Sequence, residues 1–195
     1  MQQLIDRIRA EGKALPGDII KVDGFLNHRV DTALMRDLAG EFAKHFPIDR
    51  VTVVLTAEAS GIALATVCAQ EYGVPLLFAK KAKSDNIEGG LYQSDVFSYT
   101  YKKKVTYIVS QEWLRADDHV LIIDDFMANG NAMQGLIDLV SAAGATLEGI
   151  GIAVEKGFQG GGDRFRALGV PYHALAVIDR IEDGRFIFRG EEQAR

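Results

Sequence analysis

The chain is poor in cysteine, in positive charge and in long apolar runs. Cys68 is the only cysteine among 195 residues, so no intramolecular disulfide can form and a reducing compartment is the expected home. It lies in the apolar helical run 63–69, where we expect core packing. Basic residues number 22 against 27 acidic ones, a net charge of −5. That deficit argues against a general nucleic-acid binder, whose affinity for phosphate backbones comes from fields of Lys and Arg. It leaves room for a small phosphorylated ligand, which a loop of backbone N–H groups can hold without a basic surface. No window approaches the apolar length that spans a bilayer. The opening MQQLIDRIRAEGK is charged and amphipathic, without the apolar block of a signal peptide. We therefore expect a soluble, cytoplasmic protein without membrane contact. His28, His45, His119 and His173 lack metal-ligand spacing, and no repeat, low-complexity segment or linker interrupts the chain.

What is present is ordinary globular composition, 48% hydrophobic and 25% charged, at a length suited to one domain over residues 1–195. Leu4, Ile5 and Ile8 share one face of a short opening helix that Gly12 can stop. Residues 18–22 read as extended. Asp31 can cap a second helix, in which Leu34, Leu38, Phe42 and Phe46 recur at helical spacing. Strand 51–55, helix 62–72 and strand 75–79 follow, then a polar stretch, 80–90, without apolar periodicity. Segments 96–101 and 105–109 form a hairpin whose lysine-rich tip, 102–104, reads as solvated. Strand 120–124, helix 132–143 with Gly144 as its stop, and strand 149–154 complete the pattern. Gly160, Gly161 and Gly162 read as a loop before a helix at Asp163. The near-continuous apolar strands and strand–helix alternation predict an α/β fold with a central parallel sheet flanked by helices.

In such sheets the ligand crevice lies beyond the carboxyl ends of the strands. Strand 120–124 delivers Asp124 and Asp125, then the small-residue loop Ala128, Asn129, Gly130, Asn131 and Ala132 leads into a helix. A loop and helix N-terminus offer N–H groups and a positive dipole end to a phosphate monoester. Carboxylates beside that phosphate suit hydroxyl groups. A phosphate a few ångströms from a vicinal diol describes ribose 5-phosphate. The other strand ends bring Glu58-Ala59-Ser60-Gly61, then Lys80-Lys81, then Glu155-Lys156-Gly157 to the same edge.

An apolar strand, an acidic pair and a small-residue loop resemble the phosphoribosyl pyrophosphate (PRPP) signature of type I phosphoribosyltransferases. Lys21-Val22-Asp23-Gly24-Phe25-Leu26-Asn27-His28, Glu58-Ala59-Ser60-Gly61-Ile62-Ala63, Phe78-Ala79-Lys80-Lys81 and Glu155-Lys156-Gly157-Phe158 are similar to blocks of the bacterial xanthine branch. The similarity runs from near the first residue to the last strands. Many type I enzymes carry Thr-Gly-Gly-Thr or Thr-Gly-Gly-Ser in the phosphate loop; this chain has Asn129-Gly130-Asn131-Ala132, and the xanthine branch also lacks that threonine. Gly24 stands where serine is expected. The resemblance implies a type I fold with a small N-terminal hood (residues 1–30), a homodimer, and Mg²⁺ bound through PRPP and its waters. It implies transfer of the phosphoribosyl group to xanthine, forming XMP in purine salvage. Asp124 and Asp125 would hold the ribose hydroxyls and act in catalysis, and residues 128–132 would bind the 5′-phosphate of PRPP. Ser60 and Lys81 would meet the pyrophosphate, Ile20, Asn27 and Lys156 would line the xanthine pocket, and residues 80–90 would form a lid.

Each feature has a plainer reading. The acidic pair can be a cap with a solvated charge, Ser60 a helix cap, the lysines surface charges, and Asn27 a turn residue. Trp113 is expected to pack locally, with an exposed position at a subunit contact as the alternative. Three other functions compete. A phosphoribosyltransferase for another purine, such as guanine, differs only in the pocket. A PRPP-sensing transcription regulator would carry an added DNA-binding domain ahead of the fold, where only one short helix and the hood precede helix two. A phosphoryl receiver would carry its acidic pair on the first strand rather than a late one.

Overall fold

The computed structural model describes residues 1–81, 89–98 and 103–191. The chain runs α1 (Gln2–Glu11), β1 (Lys13–Leu15), β2 (Ile19–Lys21), α2 (Thr32–His45), β3 (Val53–Ala57), α3 (Gly61–Tyr72) and β4 (Leu76–Ala79). It continues through β5 (Leu91–Ser98), β6 (Lys103–Ser110), β7 (His119–Met127), α4 (Asn131–Ala143) and β8 (Thr146–Lys156). A 3₁₀ turn, Gly157–Gln159, then leads to α5 (Gly161–Ala167), β9 (Tyr172–Glu182) and β10 (Arg185–Phe188).

Six strands form the central sheet in the order β10-β9-β8-β7-β3-β4, parallel except for the edge strand β10. The chain steps from β3 outward to β4, then returns beside β3 with β7 and proceeds the other way through β8 and β9. The order therefore reverses between β3 and β7, the position at which open sheets of this kind bind ligands. Side-chain alternation splits the core across the two faces. Val54, Leu121, Ile123 and Ala153 pack with α1, α2 and α3, whereas Leu55, Ile122, Ile150 and Ile152 pack with α4 and Phe165. Each such side chain, fully buried, contributes about 1.5–3 kcal/mol against exposure.

The expected helices formed, with their local signals acting as anticipated. Asp31 caps α2, its Oδ1 accepting from the N–H groups of Ala33 and Leu34 at 3.1 and 3.2 Å. Cys68 is buried in the core, where burial pushes its thiol pKa up and keeps it inert. Trp113, by contrast, is 63% exposed. Three expectations need correction. Gly161 and Gly162 are not loop residues but the first turn of α5. Strand β7 runs three residues past Asp124, because Phe126 and Met127 keep their ladder with Val154 and Glu155. The hairpin is longer than its apolar stretches, Leu91–Ser98 against Lys103–Ser110. Within it Lys104 pairs with Asp95 at 2.7 Å on the surface. Of the stretch 80–90 proposed as a lid, residues 82–88 lie outside the described residues.

Candidate active site

The acidic pair sits at the reversal point, near the carboxyl end of β7 beside the end of β3. Asp125 is 3% exposed and is gripped from two other segments. The Ser60 hydroxyl donates to its Oδ1 at 2.9 Å and the Asn27 amide donates to its Oδ2 at 2.7 Å. Ser60 opens α3 yet makes no side-chain cap there; its hydroxyl is turned to the carboxylate instead. Asp124 is 8% exposed and its Oδ1 accepts from the N–H of Asp125 at 3.0 Å. Burial, and then the neighbouring charge of Asp125, push the Asp124 carboxyl well above the usual carboxylate range; Lys81 pulls weakly the other way. Space for Asp124 exists because α3 begins with a glycine. A Cβ on Gly61 would stand 2.3 Å from both Asp124 Oδ1 and Thr56 Oγ1. Thr56 itself is fully buried, and its hydroxyl has no partner among the described residues.

Downstream of the pair, Gly130 turns the chain into α4 with φ 87°, a left-handed conformation that glycine adopts without a Cβ penalty. It supplies no side-chain cap, so the first turn of α4 keeps donors for a ligand. One donor is already used: the Asn131 N–H gives its hydrogen bond to Asn129 Oδ1 at 3.1 Å. The Asn131 side chain points away to the Phe97 carbonyl at 3.4 Å, while Ala128 offers its carbonyl to the Gly161 N–H at 3.1 Å. On the other flank, the Glu58–Ala59 peptide is cis, and Glu58 Oε1 accepts from the Lys81 N–H at 2.6 Å. That bond joins the loop after β3 to the start of the segment after β4.

The residues expected around the base are placed unevenly. Asn27 meets the acidic pair directly, with one amide hydrogen committed to Asp125 and a second still available. Lys156, at the end of β8, reaches the backbone carbonyl of Asp18 in the β1–β2 turn at 2.9 Å. Burial lowers its ammonium pKa. Ile20 is only 7% exposed and already packs in the core on the α2 side of the sheet. Thus Asn27, Ser60, Asp124 and Asp125 come together in one hydrogen-bonded group, while Lys156 is tied to the N-terminal hairpin. Sequence reasoning gave no role to Thr56, and it named Glu155 at a strand end without giving it one. Thr56 carries no signal beyond ending an apolar strand; Glu155 had one, a carboxylate within a run of otherwise apolar buried residues.

Chemically, the reversal point offers carboxylates able to accept from hydroxyl groups, a tight glycine turn at a helix start, and a second small-residue loop. Comparisons with known proteins identify the family. Residues 23–170 match the phosphoribosyl transferase domain family. A xanthine phosphoribosyltransferase from Bifidobacterium longum subsp. infantis is 52% identical over 192 residues, 97% of this chain and 100% of that protein. One from Lachnoclostridium phytofermentans is 49% identical over 194 residues, 98% of this chain and 100% of the other. Among solved structures, an APRTase from Giardia lamblia complexed with 9-deazaadenine superposes with a TM-score of 0.77 at 22% identity, covering 91% of this chain and 98% of that one. An adenine phosphoribosyl transferase from Trypanosoma brucei gives 0.71 at 23% identity over 89% and 79% of the two chains, a likeness of fold. With a family match across most of its length and near-full-length relatives at about half identity, the chain belongs to the phosphoribosyltransferase family, in its xanthine phosphoribosyltransferase group.

Proposed function

We propose that this protein transfers the 5-phosphoribosyl group of PRPP to xanthine, forming XMP and releasing pyrophosphate in purine salvage. One observation carries the reading: a buried acidic pair, its Asp125 held by Ser60 and Asn27, precedes a left-handed glycine turn into α4 at the sheet's reversal point. Asp124 and Asp125 bind the ribose hydroxyls, and residues 128–132 take the 5′-phosphate. Ser60, with Lys81 across the Glu58 bridge, faces the pyrophosphate. As C1′ loses pyrophosphate, positive charge grows on the ring, and a carboxylate pair in a water-poor crevice stabilises it. Holding both reactants and excluding water does the rest. Asp124 and Asp125 are hard oxygen acceptors that would meet the water shell of an Mg²⁺ held by PRPP, and the ion would supply charge neutralisation to the pyrophosphate.

Residues 1–30 form the hood over the base. Lys156 stabilises the oxo edge of the purine, Asn27 donates its second amide hydrogen to a carbonyl, and Ile20 backs the pocket from the core. By family resemblance the working unit is a cytoplasmic homodimer. The test is incubation with PRPP, Mg²⁺ and xanthine, reading XMP and pyrophosphate. Equal amounts of both are expected; no nucleotide from xanthine would overturn the proposal.

A further inference from the structure

Helix α5 and its two leading glycines have no role in the chemistry above, yet they lie against the phosphate loop at closest approach. A Cβ on Gly161 would stand 2.3 Å from the Ala128 carbonyl oxygen, 2.7 Å from the Gly130 nitrogen and 2.8 Å from the Asn129 carbonyl carbon. A Cβ on Gly130 would in turn meet the Phe165 ring at 2.9 Å, and Phe165 is fully buried. Only a residue without a side chain lets the helix seat there. The Gly161 N–H completes the contact with its bond to the Ala128 carbonyl.

The other side of the same turn rests on Glu155. A Cβ on Gly162 would fall 2.3 Å from Glu155 Cδ, so the carboxylate lies flat against the helix backbone. Glu155 is fully buried, an arrangement costly for a charge unless it is paired and hydrogen-bonded. Arg166, one turn along α5, grips it with both terminal nitrogens at 2.9 and 2.5 Å, and the Tyr172 hydroxyl donates a third bond at 2.9 Å. The Arg166 guanidinium also lies 4.5 Å above the centre of the Tyr172 ring. Glu155 stands in register with Met127, the residue immediately before the phosphate loop. Strand β8 is fixed by ladders to β7 and β9, whereas α5 is a seven-residue helix with no ladder of its own. The Glu155–Arg166 pair thus ties α5 to the sheet, beside the Asp163–Arg189 bridge and the buried Phe165 ring.

We propose that Arg166 is a positioning residue for phosphoribosyl transfer: bound to Glu155, it seats α5 so that Gly161 props the backbone of Ala128 to Gly130 in the phosphate-binding shape. The inference rests on the reading of residues 128–132 as the 5′-phosphate site. It explains why a bidentate arginine is used, since one ammonium cannot fix the orientation of a short helix. It also assigns a function to a glycine run that composition alone marks as loop.

The experiment compares Gly161→Ala, Arg166→Lys and Gly130→Val with the wild-type protein. Each is checked for folding by its melting transition, then titrated with ribose 5-phosphate and separately with pyrophosphate, and assayed with PRPP and xanthine. Gly161→Ala is expected to weaken ribose 5-phosphate binding and raise KM for PRPP about tenfold, with pyrophosphate affinity, KM for xanthine and kcat within about twofold. Arg166→Lys keeps the charge and should shift the same two quantities by about threefold, as the conservative half-replacement. Should Gly161→Ala fail to fold, Arg166→Lys alone decides. Unchanged ribose 5-phosphate binding in a folded Gly161→Ala or Arg166→Lys overturns the strut while Gly130→Val still weakens it. Loss of kcat without a PRPP effect overturns it too. If Gly130→Val also leaves ribose 5-phosphate binding intact, the phosphate-site reading itself falls, and the strut with it.

Discussion

The two ends of the β3–β7 pair carry similar side chains and treat them in opposite ways. At the amino end, the Thr52 hydroxyl donates to Asp118 Oδ1 and accepts from the His119 N–H, both at 2.9 Å. His119 Nδ1 lies 2.6 Å from Glu148 Oε1, and the Asp118 carboxylate also takes the Arg115 N–H at 2.8 Å. At the carboxyl end, the Thr56 hydroxyl is buried without a partner among the described residues, and Asp124 is buried beside another carboxylate. An unmade hydrogen bond on a buried group costs about 1–3 kcal/mol, so these are not neutral differences. One end is built for stability. The other holds polar groups out of their preferred state, which is where a fold leaves room for a substrate to complete them.

The largest effect expected from this contrast is on turnover. Replacing Asp124 and Asp125 together by Asn keeps their size and removes their charge. kcat should fall by about 3–5 kcal/mol of transition-state stabilisation, several powers of ten, while the melting temperature holds or rises. Steady-state kinetics beside a thermal melt checks both. Near wild-type turnover would show that the strained end is not the catalytic one. Next in size is Gly130→Val, which forces a branched side chain into a left-handed turn and against Phe165. KM for PRPP should rise by about tenfold to a hundredfold, with KM for xanthine little changed.

A smaller and more pointed test uses the two threonines. Thr56→Val removes an orphan hydroxyl and should leave stability unchanged or raise it by up to about 1 kcal/mol. Thr52→Val strips a donor and an acceptor that are both in use, and should lower stability by about 1 kcal/mol. Urea denaturation midpoints give the order, and a reversed order would break the comparison.

These predictions draw on residues of uneven legibility. Strands β3, β7 and β8 and helices α2 to α4 were readable, because apolar runs and 3.6-residue repeats survive into the core as written. The acidic pair and Gly130 were readable as chemistry because they end a buried strand. Strand β9 was not, since His173, Asp179 and Arg180 break up its apolar pattern; β1 and β10 are too short to show a period. Helix α5 was expected from Asp163, and its start was missed for a different reason: successive glycines oppose a helix by propensity, and only the close approach of residues 128–130 to Gly161 and of Glu155 to Gly162 requires them there. Asn27 was expected to serve the base, but its bond to Asp125, 98 positions away, joins the N-terminal segment to the acidic pair. No local pattern encodes that distance.

The smallest effect concerns pH and the amino end of the sheet. His173, near the start of β9, stacks on His45 with ring centres 3.4 Å apart. Burial, and then the charge of His45, push its imidazole from 6.5 down to about 4. Between those values the unfolded chain binds more protons than the folded one. Stability is therefore full above pH 6.5 and declines as the pH falls toward about 4. Because the ring is half-buried and screened, the loss should stay near or below about 1 kcal/mol. His173→Gln should flatten the denaturation midpoint across that window; an unaltered slope would assign the acid sensitivity elsewhere.

The central claim, that this carboxyl end joins phosphoribose to xanthine in particular, is met most directly by competition. Equal concentrations of xanthine, guanine and hypoxanthine are mixed with limiting PRPP and Mg²⁺, and the nucleotide products are separated and counted. Their ratio reports the ratio of kcat/KM values without any assumption about binding order. XMP should dominate for the wild-type protein. In Asn27→Ala all three products should form more slowly, because Asp125 loses its 2.7 Å donor, and the XMP share should drop furthest. GMP or IMP in excess of XMP for the wild-type protein would contradict the account.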